Sequence, residues 1–385
     1  MSKFKLLVKI FIGSFLFFLS FICFPFFRIR YGKISTSRLG HLCFSLDNYL
    51  SNKKNKNEIA IFCIDKKISN TEIMNIWKKK RKIFFSKIAI CVLFFIDFFK
   101  IKSKIIIEWN EHNPIPTNLN LSNINFQVNK EFFQRGNLLK SKLKMDSNKE
   151  IICLVNRDDL YVKKFTSDKN FHEFKDFKFD DYEMAIKNLI SKNKTVVRIG
   201  NHVKDNFKFI DKNFYSLTNK NSNEFSDLYF LSQSKFCVHG LNGIHAVPTM
   251  FRKKTCFVNY IPFFLDQLST ASIGSIFIIK KLYSKNEERF LKFSEIEKLN
   301  YDIHYNGDFF RDKNIEVIDN TPEEISDTIL EFDSEHDQEI YKINKNSLQE
   351  KFWNTFKYHR SYDLIVNKLN IRISNKFLEK NENLI

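Results

Sequence analysis

The chain opens on an uncharged apolar run, Ile10 to Phe27 (IFIGSFLFFLSFICFPFF), with Lys3, Lys5 and Lys9 ahead of it and Arg28, Arg30 and Lys33 behind. As a helix such a run would be about 27 Å long, at the short end of what crosses a bilayer. It closes on Phe24-Pro25-Phe26-Phe27 rather than on the small residues of a cleaved leader. Residues 1–27 therefore predict a retained membrane-associating segment. Basic residues on both sides suit a span, a hairpin and an interfacial helix alike.

Beyond this run, short apolar stretches alternate with segments of helical period. Strands are expected at Ile29–Ser35, Ile59–Ile64 and Ile105–Trp109, and helices at Leu39–Leu50, Asn70–Lys82 and Ile88–Phe99, the last read as a core helix despite its Asp97, with a second membrane-dipping patch as the alternative. The stretch Asn110–Asn129 reads as a loop and Lys130–Lys144 as a basic helix, with a domain boundary near Asp146–Lys149. The pattern then restarts. Strands are expected at Ile151–Val155, Thr195–Ile199, Lys235–Val238 and Thr255–Val258, and helices at Asp180–Lys192, Glu224–Gln233 and Asn242–Phe251. Thr321-Pro322-Glu323-Glu324 is a helix start, with Thr as cap, Pro in the first turn and a Glu three residues on. Alternation in both halves predicts an α/β protein of two Rossmann-like, doubly wound domains facing a cleft, at 28–147 and 148–335. Residues 336–385 are expected as a helical tail.

Composition narrows the function classes. Of 385 residues 44 are Phe and only 9 Gly, and the net charge is +18. Lysine, asparagine and isoleucine are abundant throughout, as an AT-rich genome would dictate, so total charge alone says little. Residues 51–104, however, hold 14 Lys/Arg against 4 Asp/Glu, a local excess that favours an anionic neighbour such as lipid or glycolipid phosphate. The basic residues are mixed with apolar runs and no nucleic-acid motif occurs, so a nucleic-acid partner is not expected. Seven cysteines lie inside apolar runs without a C-x-x-C pair, which reads as reduced core thiols rather than a disulfide framework or a zinc site.

In doubly wound sheets, ligands sit beyond the carboxyl ends of the strands, so chemistry is sought in the residues that follow each strand. Three places stand out. In Ser37-Arg38-Leu39-Gly40-His41, Gly40 lets a backbone approach and Arg38 offers a fork to an anion at a helix start; a capped turn with a solvated Arg fits the same residues. In Asn156-Arg157-Asp158-Asp159-Leu160-Tyr161, Arg157 can pair with a diphosphate and Asp158 can orient it; Arg198 and Gly200 of Val197-Arg198-Ile199-Gly200 end a second strand on the same rim. In His239-Gly240-Leu241-Asn242-Gly243, two glycines free the backbone to cradle a phosphate or nucleoside, or serve packing alone. G-x-G-x-x-G, the P-loop, D-x-D, G-x-S-x-G and H-E-x-x-H are all absent, which disfavours a dinucleotide enzyme, a metal-dependent single-domain transferase, a serine hydrolase and a zincin.

Taken together, Arg38-Leu39-Gly40-His41-Leu42, Arg157-Asp158 with Tyr161, Val196-Val197-Arg198 with Gly200, and Val247-Pro248 with Phe251 resemble a bacterial family of predicted glycosyltransferases with an R-[IL]-G-H-L start motif. Asn259 and Asp319-Asn320-Thr321-Pro322 also fit, so the resemblance runs from about residue 28 to 335. More distantly the pattern is similar to the fucosyltransferase (GT-B) superfamily. That resemblance implies a metal-independent transferase without a cofactor, its donor a nucleotide-diphosphate sugar, GDP-linked by the second analogy. Arg157 would hold a phosphate, His41 or Asp158 would serve as base, and Arg38, Gly40, Tyr161, Arg198, Gly200, His239, Gly240, Asn242 and Gly243 would bind the donor. The chain departs from the family in lacking Ser or Thr around Gly240. The implied acceptor is a surface polysaccharide or lipid-linked glycan at the cytoplasmic face of a bacterial inner membrane. A non-catalytic binding protein of this fold and a pyruvyl transferase of envelope synthesis are the alternatives.

Overall fold

The structure, a computed structural model, describes residues 3–24, 26–53, 55, 57–107, 121–160, 173–204, 207–261, 265–299, 307–336 and 347–385. Tyr161 and most of the loop expected at 110–129 lie outside these residues. The chain forms two compact units, Met1–Val128 and Asn129–Ile385.

The first unit begins with α1 (Lys3–Ile22), followed by β1 (Arg28–Ile34), α2 (Leu39–Asn52), β2 (Glu58–Ile64), α3 (Thr71–Lys78), β3 (Ile83–Phe85) and α4 (Ala89–Phe98). The three strands pair in parallel in the order β1-β2-β3. On the free side of β1 the chain returns in parallel, with a bridge from Tyr31 to Ile106; Glu108 and Trp109 of the strand expected there lie outside the described residues. The short β3 was not legible in the sequence. The helix expected to run to Lys82 ends at Lys78, and Lys82 itself takes a left-handed φ of 63°, which turns the chain into a strand of three residues. Asn70 caps α3 by accepting from the Ile73 N–H at 2.9 Å, and Ile73, Met74 and Trp77 then face the core on one side of the helix.

The second unit is built on seven parallel strands: β4 (Ile151–Val155), β5 (Thr195–Gly200), β6 (Phe214–Thr218), β7 (Phe236–His239), β8 (Thr255–Tyr260), β9 (Ile276–Ile279) and β13 (Arg372–Ile373). Their order is β13-β9-β8-β7-β4-β5-β6. Three further strands, β10 (Lys281–Ser284), β11 (Arg289–Phe290) and β12 (Ile315–Ile318), form a small antiparallel sheet in the order β11-β10-β12. Every residue of β4, β5 and β8 is buried, as strands covered on both faces require. The helix start read at Thr321 is present: Thr321 accepts from the Glu324 N–H at 3.2 Å and the Glu324 carboxylate accepts from the Thr321 N–H at 3.0 Å.

Two of the expected boundaries fall elsewhere. The basic helix α5 (Lys130–Lys142) belongs to the second unit, not to a first domain ending at 147, because Phe132 packs against Tyr229 and the Tyr229 ring lies directly on Gly136. Residues 336–385 are no appended tail. Phe352, Trp353, Ile365 and Phe377 are part of the main core, and β13 adds the edge strand beside β9. Buried Arg372 anchors that edge by pairing with Glu331 and Glu335, while Ser374 donates to Glu331 at 2.6 Å.

A side chain at position 136 would meet the Tyr229 ring at 1.7 Å, so Gly136→Val should detach α5 and lower stability by about 1–3 kcal/mol, the usual range for overpacking. Thermal unfolding of the variant reads this directly; a melting temperature equal to that of the parent would mean that α5 is not held there.

Candidate functional site

Strand order singles out one place on each sheet. In the second unit the chain proceeds from β4 outward through β5 and β6, then crosses to the other side of β4 and continues through β7, β8 and β9. The reversal lies between β4 and β7, and the crevice beyond the carboxyl ends of such a strand pair is where open α/β sheets bind ligands. Asn156-Arg157-Asp158 follows β4 and Gly240–Gly243 follows β7, so two of the three segments singled out in the sequence meet at this switch point.

What lies over it is a loop that the sequence reading passed by, Glu173 to Phe177. Lys280, directly after β9 and only 2% exposed, donates to Phe174 O and Asp176 O, each at 2.8 Å, and pairs with Asp319 at 2.6 Å. The Phe177 N–H donates to Arg157 O at 3.1 Å, and Asn156 Nδ2 donates to Phe177 O at 3.4 Å. The Phe177 ring rests on Gly240, where a Cβ would come within 2.7 Å of it. Packing thus explains Gly240, as it does Gly200, whose absent Cβ leaves room for Val203.

These ties set Lys175 and Asp176 beside Arg157. Arg157 Nε lies 3.3 Å from Asp176 Oδ1, with 14% of the arginine side chain exposed. Burial pushes the Asp176 carboxyl up to about 6, against the pull of Arg157 and Lys280. Burial pushes the Lys175 ammonium down to about 7, helped by Arg157 and opposed by Asp176. The result is a buried cluster in which Arg157 and Lys175 stand beside the Asp176 carboxyl, with Lys280, itself paired with Asp319, holding the loop from behind.

Several expected residues have a different setting. Asp158 spends both oxygens on backbone amides, Oδ2 on Lys204 N at 2.7 Å and Oδ1 on Leu160 N at 3.0 Å, so it ties loops together rather than standing ready as a base. Arg198 is 1% exposed; its guanidinium lies 4.0 Å from the centre of the Phe179 ring and donates to Lys204 O at 2.7 Å. His239 is fully buried, accepts edge contact with Phe257 at 4.8 Å, and shares Nδ1 with Gly240 O at 2.8 Å; burial pushes its pKa down to about 3 and that of neighbouring His245 to about 4, so both rings are neutral. Within the described residues, His239 Nε2, Asn156 Oδ1, Asn259 Nδ2 and both amide atoms of Asn242 are buried with no hydrogen-bond partner. All belong to the carboxyl ends of the adjacent β4, β7 and β8, a set of donors and acceptors suited to a polar ligand. Asn242 leads the short turn Gly243–His245 into the helix Ala246–Met250.

In the first unit the corresponding reversal lies at the end of β1, between β2 and the bridge at Ile106. Ser35, Ser37 and Asp65 close that end: Asp65 Oδ2 accepts from Ser35 Oγ at 3.1 Å, Ser37 N at 3.1 Å and Ser37 Oγ at 2.8 Å. Burial would raise the Asp65 carboxyl, but these hydrogen bonds hold it below its ordinary value. Arg38 stands exposed at the cap of α2, with Gly40 and His41 half-buried in its first turn. Asp65, Lys280 and Asp319 all directly follow strands, but only the strand before Asp65 is among those expected from the sequence; Lys175 and Asp176 carry no such signal.

No protein-family model matches the chain, and no curated protein does. Among solved structures it is similar to a glycosyl transferase of family 9 from Veillonella parvula, at 7% identity over 65% of this chain and 85% of that one with a TM-score of 0.47. It is also similar to the E. coli ADP-heptose heptosyltransferase II, at 12% identity over 65% and 90% of the two chains with a TM-score of 0.41. The E. coli heptosyltransferase WaaC matches at 9% identity over 60% and 89%, with a TM-score of 0.31. Likenesses this distant say nothing of activity.

Lys175 and Asp176 together shed positive charge as pH rises, Asp176 by losing its proton near 6 and Lys175 near 7. A diphosphate diester, whose own charge is constant in this range, should therefore bind about tenfold more tightly at pH 6 than at pH 8 by titration calorimetry. Lys175→Met should flatten that slope; an unchanged slope in the variant would remove Lys175 from the anion site.

Proposed function

We propose that the protein is a glycosyltransferase that takes its sugar from a nucleotide-diphosphate donor held in the second unit. The observation that carries the reading is the pair of cations Arg157 and Lys175, the latter on a loop held by Lys280, at the switch point between β4 and β7. Glycosyl transfer breaks the bond between the sugar's anomeric carbon and the diphosphate oxygen and forms one to an acceptor oxygen. Negative charge therefore grows on the leaving diphosphate, and fixed cations beside it lower the barrier. Arg157 and Lys175 supply that charge, Asp176 orients Arg157, and Lys280 holds the loop that carries two of the three. The polar atoms of Asn156, Asn242 and Asn259 are the groups for the nucleoside or sugar, which makes the absence of Ser and Thr around Gly240 tolerable. A divalent cation is not needed in this scheme, because side chains neutralise the diphosphate.

The acceptor, a surface polysaccharide or lipid-linked glycan precursor, is assigned to the first unit. There His41 would accept the proton of the attacking hydroxyl, a role for which its place at the carboxyl end of β1 is the support. A non-catalytic binding protein of the same fold is the second reading. The substitution of His239, Leu241 and Asn242 for hydroxyl residues favours it, and it shares the donor site but not the transfer.

Thermal-shift screening against the diphosphates of adenosine, guanosine, uridine and cytidine and their sugars, first without and then with divalent metal, tests the donor site. One nucleotide should stabilise the protein without metal, and Arg157→Ala should weaken its binding about 10- to 100-fold, the worth of a charge-assisted contact. Arg157→Lys controls for folding, since it keeps the charge beside Asp176. Full affinity in a folded Arg157→Ala protein would sink the diphosphate role. Binding without any transfer or donor hydrolysis would favour the second reading.

A further inference from the structure

We propose that α1 lies in the plane of an anionic phospholipid surface as half of a two-helix raft with α4, and does not cross the bilayer. The inference is independent of the donor site.

Helix α1 is long and apolar enough to span, with 20 residues or about 30 Å. One side of it is nevertheless spent on protein. Gly13 lies directly on Cys91 and Phe95 of α4, where a Cβ would meet Cys91 O at 2.3 Å. Phe17 packs on Phe95 with ring centres 5.5 Å apart, Lys9 sits 5.4 Å over the Phe94 ring, and Ser20 Oγ shares a 3.0 Å hydrogen bond with the Tyr31 hydroxyl of β1. From Lys9 to Ser20 the helix is thus laid along the body of the first unit. The opposite side is a continuous stripe at helical spacing, Phe4, Leu7, Phe11, Phe15, Phe18 and Ile22, every one of them at least 60% exposed. Phe84, Ile88, Phe98 and Phe99 of β3 and α4 are about half exposed and extend the apolar surface. A stripe of this size on a folded protein marks an interaction surface.

Two arguments choose the occupant. A spanning α1 would carry its partners into the hydrocarbon. Helix α4 has 10 residues, half of what a span needs, so its ends, and β1 whose Tyr31 is bonded to Ser20 of α1, would be drawn into the hydrocarbon. Charge supplies the second argument. No acidic residue occurs from Met1 to Ile34, and from Ile83 to Lys104 there is only Asp97, whereas Lys3, Lys5, Lys9, Arg28, Lys87 and Lys100 flank the apolar runs. An aromatic and aliphatic face edged by six cations against one exposed carboxylate, Asp97, matches the acyl and headgroup layers of an anionic monolayer.

The test uses the full chain and two sets of vesicles, phosphatidylcholine alone and phosphatidylcholine with phosphatidylglycerol. Flotation should show binding that is stronger on the anionic vesicles, and the exposed double substitution Phe11→Ser, Phe18→Ser should weaken it by more than about tenfold without lowering the melting temperature. Depth is read by lipid-borne bromine quenching of tryptophans placed singly by Phe4→Trp, Phe11→Trp and Ile22→Trp, after subtraction of the 3 native tryptophans. All three should report the same shallow depth. A Phe11→Trp signal at the bilayer centre with the other two at opposite interfaces would establish a span and overturn the proposal. So would absence of vesicle binding, or a lipid-free dimer abolished by the double substitution, which would give the stripe to a second copy of the chain.

Discussion

The buried ammonium of Lys280 is the interaction on which the candidate site depends. Three acceptors from two parts of the second unit converge on it: the carbonyls of Phe174 and Asp176 in the 173–177 loop, and the carboxylate of Asp319 after β12. Burial lowers its proton affinity, and Asp319 and Asp176 offset that loss. Without this charge the two carbonyls would lack their donor, at about 1–3 kcal/mol each, and the 173–177 loop would lose its tie to the end of β9. Lys175, Asp176 and the Phe177 cover of Gly240 all hang on that loop. A group that never needs to touch a ligand therefore determines where the ligand-facing charges stand.

The same logic of strand ends runs through both sheets. A parallel strand delivers its chain to one rim, and the reversal of strand order opens a crevice there, so residues far apart in sequence collect at one place without any special device. Arg157 and the 240–243 loop meet in this way because β4 and β7 are neighbours. Asn259 and Asn320 exchange hydrogen bonds of 2.7 Å in both directions between backbone amide and side-chain oxygen, which locks the end of β8 to the chain leaving β12. Two asparagines that looked in the sequence like motif residues thus form a clamp, which leaves Asn259 Nδ2 without a partner among the described residues.

The α/β class, most helices and the strand-end segments were legible because they rest on local signals: apolar runs bounded by turn residues, and caps such as Asn70 and Thr321. Tertiary contacts decided the rest. Assigning α5 to the second unit required knowing that Tyr229 would cover Gly136, and β13 is a strand of two residues that exists only because β9 offers an edge. In the site, Arg157 was legible as a charge after a strand, but its neighbours Lys175 and Asp176 arrive by a loop held from outside. Arg198 shows the converse. Its position within an apolar strand suggested a ligand contact, whereas the side chain is buried, with its guanidinium over the Phe179 ring and Nη2 donating to the Lys204 carbonyl. The N-terminal run was legible as apolar but not as half-covered, since Gly13 and Ser20 acquire meaning only beside Cys91 and Tyr31.

The central claim is that an anionic diphosphate sits at the carboxyl ends of β4 and β7. A crystal structure of the full chain with the nucleoside diphosphate that stabilises it most tests this directly. The account predicts diphosphate oxygens within hydrogen-bonding distance of the Arg157 guanidinium and the Lys175 ammonium, with the nucleoside or sugar against Asn242 and Asn259. A diphosphate bound elsewhere on the protein, with no contact to Arg157 or Lys175, would contradict it.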